Sequence, residues 1–567
     1  MISNKTLRTL TVILISIHSY LSLFYLGSYM YITMSWSRMT LNVVIKTPIL
    51  YSFHIDVSLI TLISFILVLL SIKDIKGRII FLVSIALLSM VGYVFFLITK
   101  QYTYLTLVGM SGIVGLVSIV LSKDYRKYLI NGLALMLSSL SIFSILTTIL
   151  YFTGLLSSDT ARNLILLYWR GFWRFIEVPL IFALLAISIY WLLITLNPKL
   201  NAYQSFNNYC TCNHVSTYVI SKLILIFSML FPTILIIMLH LPTFNPDFAP
   251  ISVDTFFYAR ELTKAKSLHD VLLGFMGTRP LYMLIIYFAY NIIKDPILLM
   301  DCIHPSIVLG LLVYATYRLS RKLCPNGAIT AALLTAIGPT ILTFIAGGYQ
   351  ANSLALSLIL IALSLNEKKV SSVVLRYALY LITALIHPWT FTMYLLLDII
   401  WHTLRKEFKY LLASLTTLLS VILALILLST IYQLKGPENY VYGLLIKSMK
   451  VSYPPGESLR WALEIMTWGS LLNTPLYLLI PLSYTLTQPH LLLALIMPIT
   501  LVFNKTIAHR LILNIPLGLI ATYGILRLSK NLRIALILSI MAYTLCNAAA
   551  LTPLTTPPWT NIFSINP

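Results

Sequence analysis

The chain has 567 residues, of which 59% are hydrophobic and only 10% are charged. A soluble protein with so few charges would aggregate, so the composition excludes a soluble enzyme. Apolar runs of about 17–25 residues, the length of a membrane span, recur from end to end. The short alternating segments of a transmembrane barrel are absent. The sequence therefore predicts an all-α polytopic membrane protein.

The net charge is +22, from 39 Lys and Arg residues against 17 Asp and Glu residues. In a soluble protein this excess would indicate a nucleic-acid partner, but in a membrane protein basic residues mark the cytoplasmic loops. We therefore expect no nucleic-acid partner. The acidic partners that we expect are membrane lipids with anionic headgroups, or a phosphorylated lipid.

Basic residues predict the topology of the chain. Lys5 and Arg8 precede the first apolar run and indicate a cytoplasmic N-terminus. Further basic clusters lie in short connections, at residues 73–78, 123–127, 318–322, 368–369, 405–409 and 527–533. Placing all of these clusters inside predicts about seventeen transmembrane helices with the C-terminus outside.

A polar, Asn-rich segment at residues 196–217 divides the predicted helices into two regions. Residues 1–216 form an N-terminal membrane region of about six spans, and residues 217–567 form about eleven spans with long outer loops. Residues 281–293 are apolar but too few to cross about 30 Å of hydrocarbon at about 1.5 Å per residue. We predict that they form a helix on the outer membrane surface.

Polar and aromatic residues collect in the loops predicted to lie outside. The first large outer loop covers residues 241–303 and a second covers residues 433–461, with short outer turns between them. Together they predict one polar, aromatic-lined chamber that faces outward. The residues expected to line it for a sugar or an acceptor are Tyr258, Tyr349, Gln350, His387, Trp389 and Tyr453.

Asp254 is the candidate catalytic residue of the first outer loop. It precedes Phe256, Phe257 and Tyr258 at the predicted membrane boundary. A carboxylate near an apolar boundary is partly desolvated, which raises its pKa and makes it suitable as a general base. Aromatic side chains beside it offer faces to a sugar ring. The alternative interpretation is an interfacial aromatic belt beside a solvated Asp.

Two arginines at predicted outer span ends are candidates for binding a phosphate. Arg279 begins the surface helix, and Arg510 begins a late span. A guanidinium binds phosphate as a fork, and anchoring to lipid headgroups is the alternative. Asp247 and Glu261 are second candidates for an acid in the first outer loop. For His387, a capping or packed histidine is the favoured interpretation.

The order of these segments resembles the GT-C superfamily of integral membrane glycosyltransferases over residues 217–567. The segments that carry the resemblance in hydropathy and order are "VDTFFYARE", "RPLYMLIIYFAYNIIKDP", "VYATYRLSRKLCPNGAITAALLTAIGPTIL", "GGYQANSLALSLILIALSL" and "HRLILNIPLGLIATYGILRL". No invariant motif is part of the match, and the N-terminal region has no counterpart in the family.

The resemblance implies an inverting, hexosyltransferase- or mannosyltransferase-like enzyme. It implies that Asp254 acts in catalysis and that Arg510 and Arg279 bind the phosphate of a polyprenyl- or dolichyl-phosphate-linked sugar donor. The acceptor would be a lipid or protein glycan on the outer face. Family members often have an adjacent acidic pair in this loop, which this chain replaces with Asp247 and Glu261. No metal site or other cofactor is therefore predicted, although a divalent metal stays open.

Two other functions stay open. A transporter or flippase for a lipid-linked or small solute would place ionisable residues within its spans, and Glu177 and Asp398 are the few candidates. A non-catalytic scaffold would not need the charge density of the outer loop. The composition favours a multi-pass protein of a prokaryotic, archaeal-type plasma membrane, and the positions of the basic clusters predict an active site on the outside.

Overall fold

The computed structural model describes residues 218–242, 245, 250–252, 254–274, 279–366, 369–432, 474–477, 479–480, 487–502, 511–528 and 530–555, with isolated positions at 155, 188, 191 and 192. Helix makes up 85% of the described residues, and no strand occurs among them. The prediction of an all-α fold is confirmed for this part of the chain. The count of about seventeen spans stays a prediction, as does the N-terminal region of residues 1–216, which lies almost wholly outside the described residues.

The first described helices flank the predicted outer loop or lie within it. Their bounds are α1 Tyr218–Leu239, α2 Thr255–Lys264, α3 Leu268–Leu273, α4 Pro280–Ile293 and α5 Pro296–Leu323. Within α5, a π turn at Leu299–Ile303 precedes the regular stretch that begins at His304. At about 1.5 Å per residue, the 14 residues of α4 are too short for a span. The helix predicted over residues 281–293 is therefore present, and its place on the membrane surface stays a prediction.

Ten further helices follow. Their bounds are α6 Ala328–Ile337, α7 Thr340–Gly347, α8 Gln350–Ser364, α9 Val370–Ile386, α10 Pro388–Leu404, α11 Phe408–Tyr432, α12 Thr474–Tyr477, α13 Gln488–Val502, α14 Leu517–Ile525 and α15 Lys530–Thr555. Proline sets several of these boundaries, because it lacks the backbone N–H that a helix interior requires and is tolerated in the first turn. Pro388 begins α10 in this way, and Pro339 separates α6 from α7.

Two of the described helices are long and apolar enough to cross a membrane, Val219–Leu239 and Pro296–Leu323. The pair Pro325–Ile337 and Thr340–Gly347 is bent by 43° and would make a third if it is one broken span. These helices are compatible with a membrane protein. The multi-pass topology, the plasma-membrane location and the sides of the termini stay predictions.

Helix α5 lies at the centre of the packing. It contacts α1, α6 and α8 along its length, and α8 in turn packs on α9. Small residues allow these close approaches, as at Gly310, where an added Cβ would lie 3.1 Å from the carbonyl oxygen of Met229 in α1. The outer face of α1 exposes Val219, Leu223 and other large apolar residues.

The described residues belong to two compact units. Helices α1 to α14 belong to the first unit, whereas residues 529–547, most of α15, belong to the second. Within α15, Tyr543 is buried and Ser539 donates to the carbonyl oxygen of Ala535. The predicted boundary between residues 216 and 217 is not tested by this division and stays a prediction.

Candidate functional site

Asp254 lies directly before α2 and is half-buried. Its side chain does not cap that helix, although its carbonyl oxygen accepts the N–H of Tyr258 at 3.1 Å. Phe256 and Phe257 are half-buried, and Tyr258 is completely buried. The three aromatic residues follow Asp254 in the first turn of α2, and Tyr258 is the member that faces the interior.

The backbone around Asp254 is bound by a second carboxylate, Asp301, in the π turn of α5. One carboxylate oxygen of Asp301 accepts the N–H of Ile251 at 2.8 Å, and the other accepts the N–H of Ser252 at 3.0 Å. The second oxygen also accepts the hydroxyl of Thr255 at 2.8 Å. Asp301 is only 2% exposed. We call Ile251, Ser252, Asp254 and Thr255 the Asp254 segment.

A histidine completes the surroundings of Asp301. His240, just after α1, donates its Nε2–H to Asp301 at 2.8 Å, and its Nδ1 lies 2.8 Å from the carbonyl oxygen of Ile236. Both ring nitrogens face oxygen acceptors, so both need a proton. Burial alone would lower the pKa of His240, but its bonds to Asp301, Cys302 and Ile236 raise the pKa to about 10. His240 is therefore an imidazolium at neutral pH.

The Gly347-Gly348 turn packs directly on the Asp254 segment. Gly348 has φ +69°, in the left-handed region that a side chain disfavours, and an added Cβ would lie 2.6 Å from the Cβ of Asp254. It would also overlap Ser252 Oγ, which is buried without a hydrogen-bond partner among the described residues. Tyr349 and Gln350 directly follow this turn, at the start of α8.

Gln350 joins three neighbouring elements. Its Oε1 lies 2.8 Å from Nδ1 of His304 and accepts the hydroxyl of Tyr282 at 3.4 Å, while its Nε2 donates to the carbonyl oxygen of Met300. The Tyr282 ring packs edge-on against Tyr258, with the ring centroids 5.3 Å apart. Gln350 is 2% exposed, so it is a buried link between α4, α5 and α8.

Arg279 belongs to the same group of side chains. It immediately precedes α4, is half-buried, and donates to the hydroxyl of Tyr258. Burial raises the pKa of Tyr282 well above its ordinary value. The hydroxyl of Tyr258 and the charge of Asp254 raise this pKa further, whereas the charge of Arg279 lowers it. The charges of Asp254 and Arg279 therefore both act on Tyr282.

Among the residues predicted for the site, Arg279 contacts Tyr258, and Gln350 is linked to Tyr258 through Tyr282. Asp254 packs on Gly348, which directly precedes Tyr349. Glu261 lies seven residues after Asp254 on α2 and is 3.6 Å from the exposed Arg260. Three predicted residues, Asp247, Tyr453 and Arg510, lie outside the described residues.

His387 and Trp389 are buried at the start of α10. His387 accepts the N–H of Thr390, which is the capping role favoured from the sequence. The Thr390 hydroxyl contacts His387 at 2.7 Å, Asn352 at 2.8 Å and Asn514 at 2.6 Å. This group and Gln350 are connected through α8, which carries both Asn352 and Gln350.

A second buried carboxylate group surrounds Asp398 in α10. Arg376 of α9 forms an ion pair with Asp398, and each side chain is 1% exposed. The hydroxyls of Tyr377 and Ser414 donate to the same carboxylate at 3.1 Å, and the Gln488 amide donates at 3.3 Å. Asp398 therefore joins helices α9, α10, α11 and α13.

His402 continues this group toward the end of α10. Its Nε2 lies 3.5 Å from Asp398, and its Nδ1 lies 2.7 Å from Glu407. Among the described residues, no group of three or more His, Cys, Asp or Glu side chains has a geometry that could bind a metal ion. No protein-family model matches the chain, and no curated protein matches it.

Proposed function

We propose that the chain is a membrane glycosyltransferase that moves a sugar from a polyprenyl-phosphate-linked donor to an acceptor hydroxyl. The observation that carries the proposal is the position of Asp254. This half-buried carboxylate lies at the start of a short helix that begins with an aromatic run, and its charge and that of Arg279 both act on Tyr282. One acid and one cation beside aromatic faces are the parts that an inverting sugar transfer needs.

Each step of the reaction assigns a role to a side chain. The acceptor oxygen forms a bond to the anomeric carbon on the face opposite the phosphate, while Asp254 takes the hydroxyl proton. The bond between the anomeric carbon and the phosphate oxygen breaks, and the lipid phosphate leaves with the electron pair. Arg279 stabilises the charge that develops on this phosphate, because a guanidinium donates to phosphate as a fork. The configuration at the anomeric carbon is inverted.

Sugar transfer by the purified chain in lipid nanodiscs tests this proposal. A panel of polyprenyl phosphates bearing different radiolabelled sugars serves as donors, and membrane extract supplies acceptors. We expect transfer from at least one donor with inverted configuration, determined by NMR of the product. Arg279→Lys should raise the KM for the donor, since a point charge replaces a fork. Absence of transfer from every donor in the panel would reject the proposal.

A transporter for a lipid-linked solute is the second candidate, and the Arg376–Asp398 pair favours it. Ionisable side chains within membrane helices are costly and mark ion or substrate paths in many transporters. The two candidates differ in the fate of the donor. In proteoliposomes, a transporter would move a labelled donor between leaflets with its sugar still attached, whereas a transferase would release the unglycosylated lipid phosphate.

A further inference from the structure

Asp301 accepts as many hydrogen bonds as a carboxylate can, and most of them come from residues around Asp254. A carboxylate has two oxygens with about four lone-pair sites, and Asp301 accepts from Ile251, Ser252, Thr255 and His240. Three of these four donors belong to the Asp254 segment. Because Asp301 is buried and saturated with donors, it is poorly suited to take a proton from a substrate.

We infer that Asp301 is the positioning residue for Asp254: its carboxylate binds the backbone before Asp254 and the hydroxyl of Thr255 after it, and thereby sets the direction of the Asp254 side chain. The inference rests on the proposed function, because the direction of Asp254 matters for catalysis only if Asp254 acts as the base. The bound positions lie on both sides of Asp254 in sequence, with Ser252 before it and Thr255 after it.

The opposite side of the Asp254 segment is bounded by the Gly348 turn. Since an added Cβ at Gly348 would overlap Asp254 and Ser252, the turn leaves no room for the segment to shift toward α8. Asp301 thus prevents movement in one direction, and Gly348 prevents it in the other. Such two-sided support fixes a catalytic group in the geometry that the reaction needs.

His240 makes this arrangement possible for a buried anion. An isolated carboxylate in an apolar interior is strongly disfavoured, and no Lys or Arg among the described residues forms an ion pair with Asp301. His240 supplies the positive charge from the end of α1. The Asp254 segment is therefore attached through Asp301 to two helices, α1 and α5.

Two amide substitutions test the inference. In Asp301→Asn, an NH2 group replaces one carboxylate oxygen. It then faces an N–H or O–H donor whose hydrogen bond it cannot accept. Asp295→Asn is the matched control, because Asp295 also accepts two backbone N–H groups, those of Ile297 and Leu298, but is exposed and does not contact the Asp254 segment. Thr255→Val removes a single hydroxyl donor and is a milder test that keeps the carboxylate.

Hydrogen–deuterium exchange and transfer kinetics are measured on each full-length variant in nanodiscs. In Asp301→Asn, the amides of Ile251 and Ser252 should exchange at least about tenfold faster, because each loses a hydrogen bond to a charged acceptor. The kcat should fall by up to about 10²-fold while the donor KM changes little, since a misplaced catalytic group slows chemistry rather than binding. Thr255→Val should show smaller changes in the same direction, and Asp295→Asn should show neither.

The outcomes separate the inference from the function on which it rests. Unchanged exchange at Ile251 and Ser252 in both variants would overturn the positioning role. Faster exchange with an unchanged kcat would overturn the link between Asp301 and catalysis, but it would not contradict the proposed glycosyltransferase function. A wild-type protein that transfers no sugar from any donor would overturn both, and the exchange data would then assign Asp301 a purely structural role.

Discussion

Asp301 and Asp398 are both buried carboxylates, but they bind different kinds of partner. Asp301 accepts two backbone N–H groups, one hydroxyl and one histidine. Asp398 accepts only side chains, and the nearest is the guanidinium of Arg376. The backbone of a helix satisfies its own hydrogen bonds, whereas the backbone of a connection needs another acceptor. A carboxylate that binds backbone amides therefore fixes a connection, and one that binds side chains joins helices.

This difference predicts that substitutions in the two regions affect different properties. Around Asp301 we expect changes in sugar transfer, because the bound connection carries Asp254. Around Asp398 we expect changes in stability, because removing one partner leaves a buried charge unpaired.

Asp254→Asn should have the largest effect. The amide keeps the size of the side chain but cannot accept the acceptor proton, and general-base catalysis contributes about 10²–10⁴ in rate. Transfer should fall by at least the lower figure, while the melting temperature stays near that of the wild type. Glu261→Gln is the control and should cost less, since Glu261 lies beside the exposed Arg260. An inactive Glu261→Gln variant together with an active Asp254→Asn variant would identify Glu261, on α2, as the base.

Arg376→Met should give the largest loss of stability. It leaves the Asp398 carboxylate buried without its cation, which costs about 3–5 kcal/mol. The double variant Arg376→Met, Asp398→Leu should recover much of this loss, because two apolar side chains of similar volume can replace a buried ion pair. Denaturant titration in detergent micelles measures both variants. A single variant as stable as the wild type would show that the pair contributes little to helix packing.

Some of this arrangement was predictable from the sequence. Apolar runs predicted the helices, and the shortness of residues 281–293 distinguished α4 from a span. The aromatic run indicates Asp254, and outer-loop position indicates Arg279 and Gln350, which contact Tyr258 and Tyr282 respectively. These are local signals, which depend on composition and on spacing within one segment.

The contacts that define both carboxylate groups were not predictable. Asp301 and Ile251 are 50 residues apart in sequence, and neither belongs to a pattern that indicates the contact. The sequence offers Asp398 as one of few candidate acids within the spans, although it can also be placed near a span end. It does not indicate Arg376, because pairing across helices depends on which faces of α9 and α10 meet. A single sequence contains no information on such faces when the helices are apolar all round.

His240→Gln should have a smaller effect that depends on pH. A hydrogen bond to a charged group contributes about 1.5–3 kcal/mol. Because the pKa of His240 is raised from 6.5 to about 10 in the folded protein, its stabilising contribution is fully present below about pH 6.5. It is lost as the pH rises toward about 10.

Melting temperatures measured from pH 6 to pH 10 test this expectation. Wild type and His240→Gln should differ most at pH 6 and converge at the alkaline end. An equivalent amide substitution at Asp295 should give a curve parallel to that of the wild type, since Asp295 has no histidine partner among the described residues. Parallel curves for His240→Gln would show that the histidine does not carry a charge in the folded protein.

Gly348→Ala should affect the Asp301 region alone. A side chain at φ +69° costs about 1–2 kcal/mol, and the added Cβ must displace the Asp254 segment, because its nearest neighbours include the Asp254 backbone. Gly274→Ala is the control: its Cβ would meet the flexible end of Met283, which can move, and its φ is −53°. Gly348→Ala should therefore lower kcat together with stability, whereas Gly274→Ala should change both little. Equal transfer rates in the two variants would show that the Gly348 turn does not fix the position of Asp254, and Asp301 would then be the single described support of the segment.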